Sequence, residues 1–115
     1  MSAGTYHIKI EQGATFSLTL TYKDSNDAAI DLTNYTARMQ LRRRINDTTT
    51  LLEATTENGR IALGGAAGTV VITVLATDTA NLDPVDGVYD LEIISGTAVT
   101  RLLGGTFDVS PEVTR

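Results

Sequence analysis

The sequence predicts a single all-β domain, a many-stranded antiparallel sandwich or barrel of about seven to nine strands with one short helical turn. Three observations predict it. Apolar and polar residues alternate in short runs, most cleanly where Phe16, Leu18, Leu20 and Tyr22 share one face and Thr15, Ser17, Thr19 and Thr21 take the other. Turn-forming residues separate the runs, among them 24–27, Asn58-Gly59, Asp86-Gly87 and 95–97. Finally, aromatics make up 5% of the chain and tryptophan is absent, so the interior must be filled by β-branched and other aliphatic side chains, which suit sheets.

Taken in order, the first strand is expected at 6–11, and Gln12-Gly13 turns it into a second at 15–23. After the turn at 24–27, Ile30 and Leu32 re-enter the core and lead into a strand at 36–44, with Ala37, Met39 and Leu41 inward and Arg38, Gln40 and Arg42 outward. A polar loop, a short strand at 51–55 and the Asn58-Gly59 turn follow, then a brief strand at 60–63. The glycine-rich 64–68 reads as a flexible connection to a strand at 69–75. That strand is apolar on both faces, with Val70, Ile72 and Val74 against Val71 and Leu75, which suggests cover on both sides by a partner subunit. The helical turn is placed at 77–82, capped by Thr77 or Asp78 and ended by Pro84. A hairpin closes the pattern: 88–94, with Tyr89, Leu91 and Ile93 inward and Asp90 and Glu92 outward, then 98–109. Gly104-Gly105 marks a bulge in that last strand or a bend where it changes neighbours. The polar tail 110–115 is expected to lie outside the sheet.

Length and charge limit the function. The 115 residues suit one domain over 1–115, without repeat or linker, and bury one core. Nine basic against fourteen acidic residues give a net charge of -5, the wrong sign for a protein that neutralises phosphates, so nucleic acid is not an expected partner. No apolar run reaches membrane-spanning length, and the start lacks the pattern of a secretory signal, so synthesis in the cytoplasm and no membrane partner are expected. Without cysteine there is neither disulfide nor thiolate metal site.

The motifs that would carry chemistry mostly fail. His7 is the sole histidine and no nucleophile-elbow sequence accompanies it, so it reads as a solvent-facing or edge-strand residue. The run Asp24-Ser25-Asn26-Asp27 begins like a calcium loop, but Ala29 and Tyr35 stand where glycine and glutamate are required. Asp78, Asp83 and Asp86 are explained by capping and turns. The glycines of 64–68 precede a strand rather than a helix, so they do not make a phosphate loop. No catalytic residue, cofactor, metal or small-molecule substrate is expected. The one concentrated charge feature is Arg38, Arg42, Arg43 and Arg44, read either as a charged strand end that discourages edge-to-edge aggregation or as a candidate contact with an acidic patch on another protein.

Three stretches carry a family resemblance: Tyr22-Lys23-Asp24 through Ile30-Asp31-Leu32-Thr33-Asn34-Tyr35-Thr36-Ala37-Arg38-Met39-Gln40-Leu41-Arg42; Glu57-Asn58-Gly59-Arg60-Ile61; and Gly87-Val88-Tyr89-Asp90-Leu91-Glu92 through the last strand to Val113. They resemble small virion proteins of tailed phages and prophages, and are similar to the immunoglobulin-like N-terminal domain of siphophage upper baseplate proteins. Asn34 stands where that family usually has glycine, and suits the same turn. The resemblance implies an immunoglobulin-like sandwich. It also implies a non-enzymatic virion structural protein, an adaptor or attachment module in the tail, neck, baseplate or fibre apparatus. Its partners would be other virion proteins and copies of itself in a symmetric ring. The alternatives are a capsid decoration protein and a carbohydrate-binding attachment module, for which Tyr6 and Tyr35 would be the sugar-stacking candidates.

Overall fold

In the computed structural model, which describes residues 4–113, the alternating runs become nine strands: β1 (Gly4–Thr5), β2 (Ile8–Glu11), β3 (Phe16–Thr21), β4 (Thr36–Arg42), β5 (Leu52–Thr55), β6 (Ile61–Leu63), β7 (Thr69–Val74), β8 (Asp86–Ser95) and β9 (Ala98–Ser110). They form two sheets. The larger runs β1-β9-β8-β4-β5, with β2 also on β9, and the smaller runs β3-β7-β6. With β1 and β2 counted as one interrupted strand, this is the strand order of an immunoglobulin-like sandwich with the edge strand β5 added to the larger sheet.

Both inner faces are built by the predicted period of two. Ala37, Met39 and Leu41 of β4 pair with Ile93, Leu91 and Tyr89 of β8, and all six are 5% exposed or less. Opposite them lie Val70, Ile72 and Val74, with Phe107, Ile8 and Ile10 filling the end nearest the termini. Burial of each such side chain stabilises the fold by about 1.5–3 kcal/mol before the entropy of ordering it is subtracted.

Several expectations change. The first strand is broken at Tyr6-His7, and both of its pieces pair with β9 in parallel, so the sandwich is not wholly antiparallel. A long sequence separation allows this, since only adjacent strands need the hairpin that forces antiparallel pairing. The strand at 36–44 ends at Arg42. The glycine-rich connection is ordered as a 3-10 turn, Gly65–Ala67, because the Gly65 carbonyl accepts the Leu32 amide (2.8 Å) and the Gly68 amide (3.0 Å). The helical turn, α1 (Ala76–Thr79), starts one residue early and has no side-chain cap: Leu75 occupies the cap position and neither Thr77 nor Asp78 fills that role. Thr79 instead holds the turn in place, as its buried hydroxyl donates to the Ala14 carbonyl (2.8 Å) and accepts the Gly13 amide (3.1 Å).

On β7 the inner face is buried, while Val71 is half-buried between Thr19 and Ala62 and Leu75, past the strand end, is 59% exposed. The irregularity in β9 falls at Leu102, where Leu91 pairs with Leu103 but Glu92 with Arg101, rather than at the glycines. Gly104-Gly105 sits where the neighbouring strand passes from β1 to β2. Part of the tail docks, since β9 runs to Ser110 and the Glu112 amide donates to Gln12 Oε1 (2.9 Å); Thr114 and Arg115 lie outside the described residues.

Candidate protein-interaction face

The outward face of the larger sheet carries a set of paired charges. On β4 the outward positions are Arg38, Gln40 and Arg42, and the register sets them beside Glu92, Asp90 and Val88 of β8. Arg38 Nε donates to Glu92 Oε1 at 2.8 Å, Gln40 Nε2 to Glu53 Oε2 at 2.6 Å, and Arg42 to Gln40 Oε1 (2.7 Å) and to the Asp47 carbonyl (2.8 Å). Across β8, Arg101 reaches Asp90 at 3.4 Å. Cations and carboxylates therefore alternate across β5, β4, β8 and β9. Because these pairs are open to water, each contributes about 0–1 kcal/mol to stability, and their main consequence is a fixed charge pattern.

Gly104 projects no side chain, and the face dips into an open depression of about 620 Å³ lined by Gly104, Gly105, Arg38, Arg42, Asp90 and Arg101. Ile45 stands on the rim and is 83% exposed. An open, charged, shallow surface of this kind suits contact with another protein better than enclosure of a small ligand, which calls for an apolar cavity that surrounds most of it.

Of the four arginines singled out in the sequence, the fold keeps Arg38 and Arg42 on this face and carries Arg43 and Arg44, both exposed, into the bend that follows β4. The basic patch is thus smaller than the sequence suggested and half neutralised. Its other members Glu53, Asp90, Glu92 and Arg101 were not assigned to it because they come from three other strands, β5, β8 and β9, with Glu92 lying 54 positions from Arg38. The available signal was alternation alone: outward acids on one strand matched in spacing to outward bases on another.

His7 lies in the gap between β1 and β2, half-exposed at the sheet edge, with Nδ1 2.7 Å from Thr106 Oγ1 and Nε2 2.5 Å from Asp108 Oδ1. Both ring nitrogens are occupied by side chains of β9, so the imidazole ties the broken first strand to its neighbour and offers no free nitrogen to a substrate. Asp24 spends its carboxylate on the Asn26 and Ala28 amides (2.9 and 3.0 Å), and Asp78 pairs with Arg60 at 3.1 Å. Among the described residues no group of three or more His, Cys, Asp or Glu side chains is placed to hold a metal ion. No family model and no curated protein matches this sequence.

Proposed function

We propose that the chain is a non-enzymatic virion structural protein of a tailed phage or prophage, an adaptor or attachment module of the tail, neck, baseplate or fibre apparatus. It would act through contact with other virion proteins and with copies of itself. One observation carries the reading. Most of the residues on which the resemblance rests, 30–42, 87–92 and 99–113, fold into or lead into β4, β8 and β9, three neighbours that form the centre of the larger sheet and its charged outer face, while 22–24 and 57–61 lie at the ends of β3 and β6 in the smaller sheet. Residues that resemble a baseplate domain therefore build one continuous surface, and on that surface charge complementarity would orient a partner.

The test is composition of purified particles. Mass spectrometry of density-gradient virions from the host strain should find the chain co-migrating with tail proteins at one or a few rings per particle. Its absence from particles refutes the proposal, and copy numbers on the scale of the capsid lattice would replace it with the decoration reading. Within assembled particles, Arg38→Gln combined with Arg101→Gln should lower incorporation while leaving the thermal unfolding of the purified chain close to wild type, because both side chains are surface-exposed and their ion pairs contribute about 0–1 kcal/mol each.

A further inference from the structure

The strand edges of the two sheets are not equally protected. At β5, a four-residue edge, the Glu53 carbonyl is taken by Asn58 Nδ2 (3.0 Å) and Arg60 Nη1 (2.9 Å). Edge β6 has three residues. Edge β2 has four, carries Lys9 and Glu11, and is broken from β1 at Tyr6-His7. Shortness, charge and interruption are the devices that stop a sheet from recruiting another strand. Edge β3 has none of them: six residues, Phe-Ser-Leu-Thr-Leu-Thr, without charge, proline or bulge.

The phase of its hydrogen bonds follows from its neighbour. The Tyr22 amide donates to the Gly68 carbonyl (2.8 Å), while on the far side of β7 the Thr73 amide donates to Arg60 and the Thr69 carbonyl accepts from Gly64. Phe16, Leu18 and Leu20 therefore exchange bonds with β7, and the amides and carbonyls of Ser17, Thr19 and Thr21 point outward, where no described strand meets them. The side chains show the same opening. Phe16, Leu18 and Leu20 face the core yet stay half-buried, although their partners Val74, Ile72 and Val70 are 1% exposed or less. Beside them an open groove of about 360 Å³ runs between β3 and β2, lined by Ile8, Phe16 and Leu18.

We propose that a second copy of this chain closes the flank, β3 pairing antiparallel with its own counterpart about a two-fold axis at Thr19. In that register Thr19 faces the second copy's Thr19 and Ser17 faces its Thr21, so every outward amide and carbonyl of the strand finds a partner. On the core side Leu18 meets Leu20, and Phe16 meets Tyr22, which covers the half-buried stripe. The occupant is a second copy because the strand is self-complementary: six uncharged residues meet their like without repulsion in a chain of net charge -5, and Lys23 falls opposite Thr15 rather than another cation. The contact is about 20 Å long and one sandwich thick, smaller than the roughly 800 Å² per partner of a standard interface, so the dimer is weak and concentration-dependent. The inference stands on β3 alone and does not rest on the virion reading.

Sedimentation equilibrium of the purified chain up to about 1 mM, where a contact of this size is populated, tests it. The wild type should shift from monomer to dimer. Thr19→Lys and Thr19→Glu each place like charges across the axis and should raise the dimer dissociation constant about tenfold or more, and an equimolar mixture of the two should restore association. Circular dichroism melts check that both exposed substitutions leave the fold intact. A wild type that stays monomeric throughout overturns the proposal, even if it binds some foreign extended peptide. So does a Thr19→Lys chain that dimerises like wild type, or a mixture that remains monomeric.

Discussion

Replacing Gly105 with alanine adds a methyl group 2.6 Å from the Tyr6 carbonyl oxygen and 3.3 Å from the Tyr6 carbonyl carbon and amide nitrogen, all backbone atoms that no rotamer change can move. The glycine has φ +151°, a conformation that side-chain-bearing residues rarely adopt, so alanine there costs about 1–3 kcal/mol in backbone strain alone. The Tyr6 carbonyl is also the acceptor for the Tyr89 hydroxyl at 2.7 Å, and pushing it away forfeits a bond worth about 1 kcal/mol. Together the loss is about 2–4 kcal/mol, a fall in melting temperature of about 8–16 °C for a domain of this size. Gly104, one residue away, is the control: a methyl group there meets only ordinary contacts at 3.6–3.9 Å, so Gly104→Ala should be neutral or stabilise by about 0.4–1 kcal/mol through the unfolded chain. Urea unfolding followed by circular dichroism measures both. If the two variants lie within about 0.5 kcal/mol of each other, the close passage of Tyr6 over β9 is not what requires the glycine.

Three further outcomes follow from single side chains. Thr79→Val leaves the Gly13 amide and the Ala14 carbonyl without partners and should cost about 1–3 kcal/mol in chemical denaturation, with Thr79→Ser losing less because it keeps the hydroxyl. Burial, and then the nearby Tyr6 phenol, push the Tyr89 hydroxyl up to about 12. A raised folded pKa means its contribution is complete below about pH 10 and is lost between about 10 and 12. Stability measured against pH should therefore fall in that window for wild type and flatten for Tyr89→Phe. The Thr33 hydroxyl, and then the Thr33 amide, hold the Asp31 carboxyl below its ordinary value. That contribution is present above the unfolded value and lost as pH falls through the lowered one, so Asp31→Asn should flatten the acid limb of the same curve.

What the sequence shows of this fold is whatever is local. The period of two places Ala37, Met39, Leu41, Tyr89, Leu91 and Ile93 inward and their neighbours outward, and the structure agrees at each position. Asn34 adopts φ +68°, the left-handed turn conformation in which asparagine can replace glycine. What the sequence hides is which strand lies beside which. Parallel pairing of β2 with β9 joins Ile8 to Phe107, nearly the whole chain apart, and no local pattern encodes it. The cap of α1 misled for a related reason: Thr77 and Asp78 have suitable chemistry, yet the turn is anchored by the long-range bonds of Thr79 to Gly13 and Ala14. The candidate face was half legible in the same way, its arginines visible as a run and Asp90 and Glu92 as outward positions, but their pairing invisible until β8 came to lie against β4.

That self-pairing constrains how the proposed module can bind. A partner that approaches the outer face meets Arg38 already held by Glu92 and Arg101 already held by Asp90, so it must exchange one exposed ion pair for another, a trade close to neutral in free energy. The charges can select orientation, but affinity has to come from elsewhere: the exposed Ile45 at the rim and the exposed Val99. Each is small. A single copy would thus hold a partner weakly, and firm attachment would require several copies engaged at once, where linkage raises avidity by about 10²–10⁴ without any new contact. Symmetric multiplicity is what a ring in a particle supplies, so raising the chain's copy number on a rigid scaffold should strengthen binding far more than any single substitution on the face.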